Sequence, residues 1–299
     1  MRFHHFGAFA LPVIIAGASC LGENPAPVNQ AAIIDGYPDK GRTAVDPHTQ
    51  SGVIALTFDD GPSEFTHDII DVLTKHGVEA TFFMVGRLIP AHRDVLDYAR
   101  AHGQQVASHS YNHEPQPSLS EDIFKFRVGS VKANIGDADR GRLYFRFPYG
   151  AAGDDQLRWL SELEFDGKRY KPVGWHMDSQ DFDYDGEYPA APYSDNILDD
   201  TVECEGQKNP FQRDIVGWCQ FIARKTEGGV MLFHDTKRIT HDKLDEILSG
   251  FEAPERYFAT LTPEVRAEYI KYYECEQVNR NIRFTYQPIW GGAWPSLKD

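Results

Sequence analysis

From Ser51 onward the chain switches repeatedly between a strand period and a helix period, and that alternation limits the fold more tightly than any other feature of the sequence. A run of small and β-branched residues ending at Phe58 predicts a strand over 53–58, followed by an amphipathic helix at about 64–76 that turns Ile69, Ile70, Val72 and Leu73 inward. "ATFFMVG" (80–86) reads as the next strand, a helix is expected at about 91–102, and "QQVASH" (104–109) reads as a third strand. Strands separated by helices need crossover connections, so the sheet should be largely parallel, most economically an α/β barrel. In such barrels the chemistry sits on the loops that leave the carboxyl ends of the strands.

Two clusters fall at those ends. "TFDDG" (57–61) puts Asp59 and Asp60 side by side where the first strand runs out. Neighbouring strand residues point to opposite faces, so the two acids can converge only if the backbone turns sharply, which Gly61 permits and Pro62 helps to fix. The alternative is that they cap the helix starting near Ser63. "HSYNH" (109–113) carries two imidazoles four residues apart, which a tight turn would place on one side as ligands for zinc or a similar divalent ion. Taken alone, such a pair reads equally well as hydrogen-bonded surface histidines. Combined with one carboxylate, it makes up the three protein ligands of many open, catalytic metal sites.

The amino terminus has a different character. Arg2 and the histidines at 4 and 5 precede "FGAFALPVIIAGA", an apolar run too short to span a bilayer, so residues 1–20 read as an export signal. Cleavage after Ala18 follows the Ala-x-Ala pattern; "AGASC" alternatively resembles a lipoprotein box in which Cys20 is lipidated, although Gly17 stands where a branched apolar residue is usual. The chain is therefore expected to be exported, as a periplasmic, extracellular or lipid-anchored protein of a bacterial envelope. Residues 21–50, rich in Pro, Ala, Gly and Asn, read as a linker or arm, with one catalytic domain over 51–299. Thirty Lys and Arg against 45 Asp and Glu leave a net charge of −15 with no basic stretch, which argues against nucleic acid or an anionic membrane surface as partner. The one membrane attachment left is a lipid anchor at Cys20. Once that residue is set aside, Cys204, Cys219 and Cys275 favour one disulfide and one remaining thiol, with the pairing open.

Five segments in order carry a family resemblance: "TFDDG" (57–61), "HSYNH" (109–113), "RFPYG" (146–150), "DSQDF" (178–182) and "LFHD" (232–235). They are similar to the motifs of the polysaccharide deacetylases, the NodB-like carbohydrate esterases of family 4, over roughly residues 51–250. The resemblance implies a distorted (β/α) barrel and metal-dependent removal of acetyl groups, N-acetyl above all, from a glycan such as peptidoglycan, chitin or an exopolysaccharide. By similarity Asp60, His109 and His113 hold one divalent ion, zinc by expectation, with cobalt or another ion as the alternative. Asp59 is then the general base, held ionised and oriented by Arg146, and the Tyr149 backbone N–H faces the developing oxyanion. His234 is the implied general acid with Asp181 as its carboxylate partner, Asp178 being the close rival. The family has Trp where this chain has Phe182, which puts the acetyl pocket in question; Leu232 and Trp175 are the residues expected to line it.

The acidic insertion expected at about 183–210 belongs to a longer stretch, Asp178 to Glu205, that contains ten acids interleaved with tyrosines, so it reads as a solvated loop or a substrate-facing flap. "DFDYDG" (181–186) has calcium-loop spacing, yet Pro192 stands where the bidentate Glu should be. Two other readings of the chain remain: a glycan-binding barrel that has lost turnover, and a deacetylase of O-acetylated xylan.

Overall fold

The computed structural model describes residues 52–183, 210–211 and 214–289. The export signal, Cys20, the 21–50 arm, Cys204 and nearly all of the acidic insertion lie outside them.

Strand β1 (Val53–Asp59) is the axis of the sheet. It pairs along its whole length with β9 (Gly228–His234), while its other edge is shared by β10 (Thr285–Tyr286) at the start and β2 (Thr81–Met84) at the end. Beyond β2 follow β3 (Gln105–Ser108), β4 (Tyr144–Phe145) and β7 (Lys171–Pro172); beyond β9 lies β8 (Met177–Asp178). Every pairing in this eight-stranded sheet is parallel. A separate antiparallel pair, β5 (Glu164–Phe165) with β6 (Lys168–Arg169), stands apart from it. The helices are α1 (Thr66–Lys75), α2 (Arg93–Ala101), α3 (Glu121–Ile135), α4 (Asp154–Glu162), α5 (Ile215–Lys225), α6 (Arg238–Glu252), α7 (Pro254–Thr260) and α8 (Pro263–Cys275).

All seven residues of β1 are buried, because the sheet is covered on both faces. Ile54, Leu56 and Phe58 point outward into the core built with Ile69, Ile70 and Leu73 of α1 and with Leu244, Ile247 and Leu248 of α6. Val53 and Ala55 point inward and pack with Phe83, Ala107, Tyr144, Val173 and Val230. Thr57 and Asp59 continue that inner row, so the two-residue strand period carries a polar pair into the barrel interior. The strand and helix expectations hold with small changes. Helix α1 starts at Thr66, and Val72 is only half-buried at the edge of the core. Strand β2 ends at Met84 because the next residue leaves the sheet, where the Val85 amide donates to Gly61 O at 2.8 Å.

Cys275 is disulfide-bonded and Cys219 on α5 is a buried free thiol. Burial raises the Cys219 pKa well above its ordinary value, so this thiol behaves as a core residue. Among the described residues no helix is long and apolar enough to cross a membrane.

Candidate active site

The carboxyl ends of β1, β3, β4, β8 and β9 meet at one rim, and each delivers a polar segment to it. Asp59 is the last residue of β1 and remains in the inner row. Asp60 then takes φ 76°, the left-handed region, and swings its side chain back toward the same space. The sharp turn expected at Gly61 is thus made one residue earlier, by Asp60 itself. Gly61 is required for a different reason: a Cβ there would stand 2.1 Å from Asp235 Oδ2. Neither acid caps α1, whose N-terminus has no side-chain cap.

Asp60 Oδ1 lies 3.3 Å from His109 Nε2 and 3.0 Å from His113 Nε2, and the three ligand atoms fall within 4.8 Å of one another. His109 is aimed by a 2.9 Å contact between its Nδ1 and the carbonyl of Arg146. With Nδ1 so occupied, Nε2 is left for a ligand role. His113 also adopts a left-handed backbone (φ 61°), and its amide donates to Ser110 Oγ at 3.1 Å. Burial opposes ionisation of Asp60, but His109 and His113 outweigh it and hold the carboxyl far below the usual range. Asp60 Oδ1 is buried with the two imidazole nitrogens as its neighbours, as expected of an oxygen that shares a cation with them. This donor set fits a divalent ion.

Asp59 faces a different neighbour. Arg146 is fully buried and donates to Asp59 Oδ1 and Thr57 Oγ1 at 2.8 Å each, to Gly174 O at 2.9 Å and to Val173 O at 3.2 Å. Its guanidinium lies 4.2 Å from the centre of the Phe83 ring and 5.6 Å from that of Trp175. A planar five-donor fork suits such a set of acceptors, and a buried charge needs them. Arg146 therefore orients the base with its side chain and a metal-ligating imidazole with its backbone. Thr57, which the sequence reading did not single out, passes the arrangement on by donating to Met231 O at 2.7 Å.

Across the rim, His234 ends β9 directly opposite Asp59 in the sheet register. Its Nδ1 lies 2.7 Å from Asp181 Oδ1, while Asp181 Oδ2 accepts from the His234 amide at 2.7 Å and from Thr240 Oγ1 at 2.5 Å. Asp181 is thus the acid that faces the imidazole. Asp178 turns away, accepting from the Gln180 amide at 2.8 Å. Burial disfavours the imidazolium, but Asp181, with smaller effects from Asp60 and Asp59, raises the His234 pKa to about 10. Phe182 sets its ring edge-on to His234, with centroids 5.9 Å apart, at the position where the family has Trp. Leu232, one inner-row step before His234, is buried yet belongs to none of the hydrophobic core clusters. Trp175 is half-buried against the inner cluster. Tyr149 is 55% exposed on a backbone with φ 58°, its ring beside His113 with 4.6 Å between centroids.

Asp235 was also missed by the sequence reading. It is buried, accepts from Thr66 Oγ1 at 2.6 Å and lies against the backbone of Gly61. Burial, together with Asp60 and Asp59, pushes its pKa up to about 7. Its local signal, an acid directly after the histidine in "LFHD", is indistinguishable in sequence from a surface charge.

A family model described as polysaccharide deacetylase matches residues 46–167. A peptidoglycan-N-acetylglucosamine deacetylase of Bacillus cereus is 31% identical over 210 residues, covering 70% of this chain and 66% of the relative. A chitin deacetylase of Arthroderma benhamiae is 29% identical over 149 residues, 48% of this chain and 38% of that one. The chain thus spans 66% and 38% of the lengths of these two relatives. The crystal structure of a peptidoglycan N-acetylglucosamine deacetylase superposes with a TM-score of 0.51 at 20% identity, covering 85% of this chain and 93% of that one, a likeness of fold. The family-model match takes in Asp59, Asp60, His109, His113 and Arg146, and the chain belongs to the polysaccharide deacetylase family.

Proposed function

We propose that this protein is a metal-dependent hydrolase that removes acetyl groups, N-acetyl in the first place, from a polysaccharide of the cell envelope or its surroundings. One observation carries the reading: two adjacent acids are held in different surroundings, Asp60 between two imidazoles and Asp59 on a buried guanidinium. A divalent ion on Asp60, His109 and His113, with zinc the expected occupant and cobalt an alternative, would polarise the acetyl carbonyl and acidify the attacking water.

The chain's own residues do the rest. Asp59, fixed by its hydrogen bond from Arg146, accepts the proton of the attacking water. His234, charged through Asp181, gives a proton to the departing amine, which is too basic to leave as an anion. The roles do not compete, because the sheet register sets Asp59 and His234 on neighbouring strand ends while the left-handed turn at Asp60 gives the second acid to the two imidazoles, with His109 Nε2 still 3.7 Å from Asp59 Oδ2. The Tyr149 amide serves as oxyanion donor, and Leu232, Trp175 and Phe182 border the acetyl methyl group in this proposal.

Peptidoglycan and chitin-type glycans lead the candidate substrates, since relatives are named for both. The apolar run at the amino terminus and the disulfide at Cys275 support export to an oxidising compartment. The test is acetate release from acetylated peptidoglycan, chitin oligosaccharides and xylan by metal-loaded and chelator-treated protein. Turnover that chelation abolishes and zinc or cobalt restores is expected. Full turnover in chelator refutes the mechanism, and none on any acetylated glycan by loaded protein leaves the glycan-binding reading.

A further inference from the structure

The acid half of the site contains a group outside all five motifs. Thr240 lies in the first turn of α6, is completely buried, and sends its hydroxyl across to Asp181 Oδ2 at 2.5 Å. In the first turn it has no preceding helical turn to bond to, and its hydroxyl goes to another element. The Asp181 carboxylate thereby receives three donors, the hydroxyl and the His234 amide on Oδ2 and the imidazole on Oδ1. Each donor removes a rotational alternative and takes up part of the negative charge that the imidazole would otherwise have to itself.

We propose that Thr240 is a positioning residue for the proton donor, acting through the Asp181 carboxylate, whose charge it shares with His234 while the His234 amide keeps that carboxylate facing the imidazole. The inference rests on the reading of His234 as general acid only for its effect on turnover; the contact itself is independent of that role. The charged groups facing His234 are Asp181 from the segment after β8, Asp59 and Asp60 from the end of β1, and its own neighbour Asp235. Of these, Thr240 touches only Asp181.

The experiment follows the His234 ring by NMR through a pH titration of zinc-loaded protein. Thr240→Val keeps the shape and removes the donor, so more of the Asp181 charge falls to the imidazolium. The titration should then move upward by on the order of half a pH unit. Thr240→Ser retains the hydroxyl and should titrate like the unmodified protein. Thr240→Ala makes the same comparison if the valine variant does not fold. The alkaline limb of acetate release should move with the ring titration while KM stays constant. An unmoved or lowered titration in the valine and alanine variants, or a serine variant that behaves like valine, overturns the proposal. A ring titration that moves while the rate limb does not upholds the Thr240 contact and instead removes His234 from the role of general acid.

Discussion

Replacing Arg146 with Met tests the part of the arrangement that the packing makes most costly to disturb. The guanidinium is fully buried and supplies four hydrogen bonds, to Asp59 Oδ1, Thr57 Oγ1, Val173 O and Gly174 O. Methionine fills much of the same space but provides no donor. It leaves the Asp59 carboxylate in the barrel interior without the guanidinium, with His109 Nε2 3.7 Å from its Oδ2. Removing one member of a buried ion pair costs about 3–5 kcal/mol, because the other charge remains desolvated and unpaired. At about 2–4 °C per kcal/mol for a domain of this size, Tm should fall by roughly 6–20 °C. The contact that aims His109 comes from the Arg146 carbonyl and survives the substitution. Metal content should therefore stay near that of the unmodified protein while acetate release falls. Arg146→Lys keeps the charge but not the planar fork, so it should fall between the two in stability. Thermal denaturation and elemental analysis of the same preparations make the measurement. A Met variant with unchanged Tm and turnover would refute the account of Asp59, and loss of metal with retained stability would refute the separation of the two acids.

Asp59→Asn should retain metal and lose most turnover, whereas Asp60→Asn should lose metal; identical metal content and rates in the two variants would contradict the division of labour. Asp181→Asn should move the alkaline limb of the rate profile to lower pH by more than about one unit, since removing a negative charge destabilises the imidazolium that must be present for proton donation. Asp178→Asn should leave that limb in place, and the reverse pattern would assign the partner wrongly. Gly61→Ala forces a Cβ onto Asp235, 2.1 Å from its Oδ2, so the turn bearing Asp60 must shift. Metal affinity, measured by competition with a chromogenic chelator, should drop on the order of tenfold or more, and an unchanged value would show that the turn has room to spare.

Local signals reached a long way in this protein. A two-residue strand period and a 3.6-residue helix period are properties of consecutive side chains, so the parallel sheet, its strand ends and the polar segments at those ends could be read before any tertiary contact was known. The adjacency of Asp59 and Asp60, and the four-residue spacing of His109 and His113, limited the chemistry for the same reason. How the backbone would turn was less legible. Sequence assigned the bend to Gly61, but the left-handed residue is Asp60, and Gly61 is small because Asp235, 174 positions away, lies against it. The choice between Asp181 and Asp178 turned on which carboxylate faces β9, a matter of how the segment after β8 crosses the rim.

Sequence by itself determined the fold class, the residue types able to hold a cation, and which strand ends carry them, since each depends on periodicity and short spacing. The pairing of Arg146 with Asp59 was implied by the family resemblance, but tertiary structure alone decided that Arg146 also aims His109 by its carbonyl, that Thr240 donates to Asp181, and that Asp235 locks the turn after Asp60. Those contacts join residues 37 to 174 positions apart, and no local pattern encodes them. They exist because a curled parallel sheet brings distant strand ends to one rim, where burial leaves each polar group only the partners that packing provides.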